Sequence, residues 1–235
     1  MATSVPATPH ATRTASNPLS RFWQRTIGKK IVMAVTGLIM IGFLVTHVAA
    51  NLLVFSGAEG INGYAASLRE LGPLLWVARA VLLAALVLHV MAALQLTRRS
   101  QSARAVNYDA RDPQVSTFAA RTIRIGGVVL LLFVIFHLMH FTFGVRALLP
   151  TFTPGDVYGN LVAAFQSPVM VTVYVAVMIA LGLHLYHGLW GSLRTLGLSR
   201  PSAHPRRRRI TGLIAILIYG GFTLIPIGIL LGFAR

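Results

Sequence analysis

The sequence contains no cysteine. That removes disulfides, thiolate-held iron–sulfur clusters and covalent c-type haem attachment from the available chemistry. Acidic residues are scarce too, with five Asp and Glu against 21 Lys and Arg, for a formal net charge of +16. Charged residues of both signs make up only 11 % of the 235 residues, while 55 % are hydrophobic. A water-soluble domain of this length needs far more polar surface, so the composition belongs to the membrane class. No internal repeat is evident.

A basic chain invites a nucleic-acid reading, but the positive charges lie between long apolar runs and are explained as membrane flanks. The runs fall at 31–55, 74–97, 125–145, 167–193 and 210–234, and four of them contain no Asp, Glu, Lys or Arg. The second holds Arg79, close enough to its start to snorkel to the interface. Each run reaches the roughly 20 residues that a helix needs to cross a hydrocarbon core of about 30 Å. The two-residue alternation of a barrel strand is missing, so the expected fold is an all-α bundle of five transmembrane helices over 31–235. Residues 1–30 are expected to form a basic, flexible tail. Their Ala, Ser, Thr and Arg content also fits a transit peptide, but a cytoplasmic tail is the simpler reading.

Sidedness follows from the charges. Seventeen Lys and Arg lie in the tail, in the loop after the second run and in the loop after the fourth, including Arg206, Arg207, Arg208 and Arg209. Four remain for the other side: Arg69, Arg79, Arg146 and Arg235. The positive-inside rule then predicts a cytoplasmic N-terminus and an external C-terminus. Within the outer loops, Ile61 to Leu71 suits a short interfacial helix. The loop 146–166, with Pro150, Pro154 and Gly155, reads as turn.

Of eight histidines, His10 and His204 lie in polar segments. The other six, His47, His89, His137, His140, His184 and His187, are inside the runs. Ionisable groups there are costly and usually functional. At about 1.5 Å per residue, His47 and His137 fall toward the outside and His89 and His184 toward the cytoplasm. Each layer holds two histidines from two different helices, the axial donor set of a haem iron wedged between helices. His140 and His187 each follow a proposed ligand by three residues and share nearly the same helix face. Spacing alone therefore leaves open which member of each pair binds. The rival reading, a histidine-based transporter, ordinarily calls for mid-membrane acids, and the runs have none.

Several segments together resemble the single-chain di-haem cytochrome b anchor of bacterial succinate dehydrogenase and fumarate reductase. They are IGKKIVMAVTGLIMIGFLVTHVAANLLVF, VLHVMAALQLTRR, GGVVLLLFVIFHLMHF, LHLYHGLWGSLRTLGL and YGGFTLIPIGILLG, and the similarity covers about 20–235. The resemblance implies one iron ligand from each of the first four helices. These are His47 in H-x-x-x-N, His89, the first His of H-x-x-H (His137), and His184 with Gly188, Leu189 and Trp190. His140 and His187 then become outer-shell or quinone-side groups. Glu59 and Glu70, the only glutamates of the outer loops, are candidates for quinone protonation. Also implied are two haem b, menaquinone as the quinone, a flavoprotein and an iron–sulfur subunit as partners, and the bacterial cytoplasmic membrane as location. The chain lacks dicarboxylate chemistry of its own and would be a subunit of the respiratory chain and tricarboxylic acid cycle. Haem anchors of nitrate reductase or hydrogenase type are the neighbouring alternative, but a ligand on each of four helices favours the succinate/fumarate type.

Overall fold

A computed structural model describes residues 17–103, 118–198 and 204–234. His10 lies outside these residues, and His204 only opens the last helix. Eight α-helices and no strand occur among the described residues: α1 (Pro18–Gln24), α2 (Thr26–Leu52), α3 (Ala58–Glu70), α4 (Pro73–Ser102), α5 (Phe118–His137), α6 (Val157–Phe165), α7 (Pro168–Thr195) and α8 (His204–Leu230). A 3₁₀ turn, Leu53–Ser56, extends α2, and a π turn, Leu138–Thr142, extends α5. Five helices, α2, α4, α5, α7 and α8, are long and apolar enough to cross a membrane. At 30 residues, α4 alone measures about 45 Å against a hydrocarbon core of about 30 Å.

The apolar residues of these helices face outward as much as inward. Trp76, Leu83, Leu132 and Leu217 are each more than 60 % exposed. Such a surface in water would mark aggregation, whereas in lipid it is the ordinary exterior of a membrane bundle. The tail expected over 1–30 is described only from Asn17 onward, and there it is helical. Asn17 accepts from the Leu19 amide and Pro18 opens α1. Arg25 then breaks the helix in extended conformation before α2 begins at Thr26. Gly28 lets α1 fold back, since a Cβ there would run into the Phe22 carbonyl.

The loop expected as turn over 146–166 contains α6. Pro150, Pro154 and Gly155 do end regular structure, but Asp156 restarts it by accepting from the Gly159 amide at 2.9 Å. The interfacial helix expected over Ile61 to Leu71 is α3, begun earlier because Gly57, at φ +89°, turns the chain sharply after α2. Asn62 of α3 donates to Asp156 at 3.0 Å and accepts from the Tyr158 amide at 3.0 Å, tying α3 to α6.

Helix α7 packs against α2, α5, α6 and α8, while α4 lies on α2. One core cluster, with Val54, Ile61, Phe165, Tyr174 and Ile225, sits beneath α3 and α6. A second, with Met178, Leu185, Ala215 and Ile218, joins α7 to α8 deeper in the bundle. Helix α8, which carries no histidine in its apolar run, therefore packs on both α7 and α2.

Candidate functional site

The histidines meet as two pairs, each drawn from two helices. His89 of α4 and His184 of α7 have ring centroids 6.2 Å apart, with planes inclined at 56°. His89 Nδ1 lies 3.0 Å from the Met33 carbonyl of α2. A carbonyl only accepts, so Nδ1 carries the proton and Nε2 keeps its lone pair. Thr36 Oγ1 stands 3.4 Å from the same Nδ1 and is itself held by the Val32 carbonyl at 2.7 Å. Two glycines let the neighbouring backbones approach: a Cβ on Gly37 would meet His89 Cε1 at 3.3 Å, and one on Gly127 of α5 would meet His184 Cε1 at 3.9 Å. Four helices thus converge here. His184 Nδ1 is buried with no hydrogen-bond partner among the described residues.

At the other pair, His47 of α2 and His137 of α5 have centroids 6.0 Å apart and planes inclined at 87°. Phe43 stacks on His47 at 4.9 Å and Phe222 of α8 stands 5.7 Å away, so the fifth span walls this pair. Asn51 Nδ2 donates to the His47 carbonyl at 2.8 Å, satisfying an acceptor near the end of α2. The π turn begins directly after His137 and is closed by the Phe143 amide donating to Leu138 at 2.8 Å. Such a bulge re-aims side chains within one helix and is frequent at functional sites. It carries His140, which is fully buried, with Nδ1 2.9 Å from the Tyr174 hydroxyl and Nε2 buried without a partner. The same hydroxyl lies 3.5 Å from His137 Nδ1.

Eleven residues separate Thr36 from His47 on α2, and ten separate Tyr174 from His184 on α7. Both counts place the two layers about 15 Å apart along the bundle. His187 is half-buried one turn beyond His184. Glu59 and Glu70 lie near the two ends of α3, both exposed, and neither hydrogen-bonds to a histidine. Tyr174 and the Met33 carbonyl are polar partners that sequence reasoning passed over. Only depth marks Tyr174 beforehand, because ten residues before His184 is the level of the other pair.

The separations bear on chemistry. Two imidazoles in direct N–H···N contact, at about 2.9 Å with about 1.1 Å from each nitrogen to its ring centre, have centroids about 5.1 Å apart. With a metal between them, bonded at about 2.0 Å on each side, the spacing becomes about 6.2 Å. At 6.2 and 6.0 Å neither pair is hydrogen-bonded internally, which leaves room between the rings of each. No group of three or more His, Cys, Asp or Glu side chains converges among the described residues. Each site therefore brings together two imidazoles, from two different helices. A buried imidazole nitrogen left unpaired costs about 1–3 kcal/mol, the cost that His184 Nδ1 carries here. No protein-family model, curated protein or solved structure matches the chain.

Proposed function

We propose that the chain is the di-haem cytochrome b anchor of a succinate dehydrogenase or fumarate reductase. In this reading His47 and His137 hold the outer haem iron, and His89 and His184 hold the iron nearer the cytoplasm. The observation that carries it is the meeting of four histidines from four helices as two pairs, with ring centroids 6.0 and 6.2 Å apart. When bound, the two haems supply reversible one-electron chemistry at two depths in the membrane.

The chain's own residues position and insulate. The Met33 carbonyl fixes the His89 tautomer, so Nε2 is the nitrogen offered to the metal. Gly37 and Gly127 keep the space beside the inner rings free of side chains. Phe43, Phe222 and Phe133 exclude water from the outer pair. The basic ends of α1, α4 and α8 form the cytoplasmic face on which an iron–sulfur subunit, joined to a flavoprotein, would dock and exchange electrons. Quinone, menaquinone by the family resemblance, would react at the anchor, with His140, His187, Glu59 and Glu70 as the polar side chains to examine there. The setting is then a multi-pass protein of the bacterial cytoplasmic membrane.

Single alanine variants test the ligand assignment. His184→Ala is expected to lose the inner haem and His137→Ala the outer one, as read in low-temperature optical spectra. His187→Ala is expected to keep both, because groups beyond the ligands tune a metal rather than hold it. Loss of a haem from His187→Ala with retention in His184→Ala would move the ligand by one helical turn.

A further inference from the structure

Away from the histidines, a cavity of about 300 Å³ runs along the seam between α7 and α8. Its floor is cut by small residues opposite rings. Gly182 faces Tyr219, where a Cβ would come within 2.7 Å of the ring, and Gly212 faces Tyr186 at 3.6 Å. Its lips are Ile179 and Ile216, which are 57 % and 54 % exposed, so the groove opens outward from the bundle. In a membrane-crossing chain that outward side is occupied by acyl chains.

One end of the groove is cationic. Arg208, Gly212, Ala215 and Tyr219 are spaced four, three and four apart, so Arg208 lies on the helical stripe that lines the groove. Its guanidinium donates through Nε to the Tyr186 hydroxyl and stands 5.8 Å over that ring. The neighbouring Arg207 has a buried Nη1 with no hydrogen-bond partner among the described residues. Four arginines, Arg206 to Arg209, occupy the first turns of α8, with no acidic residue in the first turn. A helix N-terminus already carries partial positive charge, so cations there are disfavoured unless an anion joins them. Among the described residues the acids are Glu59, Glu70 and Asp156, which belong to the opposite end of the bundle and cannot serve; Asp109 and Asp112 lie outside the described residues.

We infer that the α7–α8 seam is a binding site for one anionic phospholipid. The acyl chain fills the groove between Gly182 and Gly212, and the phosphodiester sits against Arg207 and Arg208 at its mouth. Charge decides the occupant: a zwitterionic headgroup brings its own cation toward the arginine run, and a neutral quinone head gives the guanidinium groups nothing to neutralise. The site is independent of the haem reading.

The test uses the purified full-length protein, delipidated in a neutral detergent, with native mass spectrometry and thermal unfolding as readouts. The probes are phosphatidylglycerol, phosphatidylcholine with the same acyl chains, inorganic phosphate and menaquinone. Phosphatidylglycerol alone is expected to be retained at one molecule per chain and to raise the unfolding temperature. Arg207→Gln and Arg208→Gln, at positions where charge loss spares the core, are each expected to weaken retention about fivefold. Gly212→Leu, which fills the groove and keeps every arginine, is expected to abolish it. Equal retention of the two lipids, an equal effect from phosphate or menaquinone, or survival of binding in Gly212→Leu overturns the assignment.

Discussion

Tyr174 is the polar partner of a fully buried histidine. Its hydroxyl is the only partner of His140 Nδ1 among the described residues, and His140 has no exposure to solvent. Tyr174→Phe removes one oxygen and leaves both nitrogens of a buried imidazole unpaired. The expected cost is about 1–3 kcal/mol of unfolding free energy, measured by denaturant titration in detergent. A change below about 0.5 kcal/mol would mean that His140 has another partner. The residue scale is also where sequence reasoning stopped short. The i, i+3 spacing of His137 and His140 leaves the two nearly equivalent on an ideal helix. Across the π turn both reach Tyr174, His140 at 2.9 Å and His137 at 3.5 Å, while His137 also faces His47. A π turn depends on which backbone bonds the surrounding packing rewards, and the local sequence FHLMHF carries no mark of it.

Among the elements, hydropathy located all five membrane-crossing helices because burial of backbone polar groups in lipid permits little else. Their ends were less legible. Helix α2 begins at Thr26 rather than 31, α4 runs on to Ser102, and α5 starts at Phe118 rather than 125. Hydropathy marks the hydrocarbon zone, while helical hydrogen bonding continues through Lys30, Arg98 and Arg121 into the interface. Helix α6 was missed because two prolines and a glycine hid the cap that follows them. That cap yields a pH prediction. The Gly159 amide, and after it the Asn62 side chain, hold the Asp156 carboxyl below the usual carboxylate range. A depressed native pKa contributes stability that is present above the unfolded value, about 3.9, and lost as pH falls through the native one. Protection of the α6 amides against hydrogen exchange should therefore be flat near neutrality and fall below about pH 4. Asp156→Ala should show the lowered protection already at pH 7, and an unchanged pH profile in that variant would assign the effect to another group.

Across the whole molecule, charge and chemistry are segregated along one axis. The ends of α1, α4 and α8 are basic, and the end of α4 meets the start of α2, where Arg99 donates to Thr26 at 3.3 Å. The α3–α6 layer carries Glu59, Glu70 and Asp156 and caps the pair formed by His47 and His137. If the basic end is cytoplasmic, a cysteine introduced at Ser102 should react with an impermeant thiol reagent only after the cytoplasmic side is opened. One at Ser56 should react from outside; the chain's lack of native cysteine leaves no background. Reversed labelling would turn the bundle over and place His47 and His137 beside the soluble partners. The two layers of paired histidines are what the proposed function stands on, and the haem content of the purified, folded protein probes them most directly. A pyridine haemochrome assay should find about two b-type haems per chain, one for each pair of axial imidazoles. A folded protein made with ample haem and containing none would contradict the account.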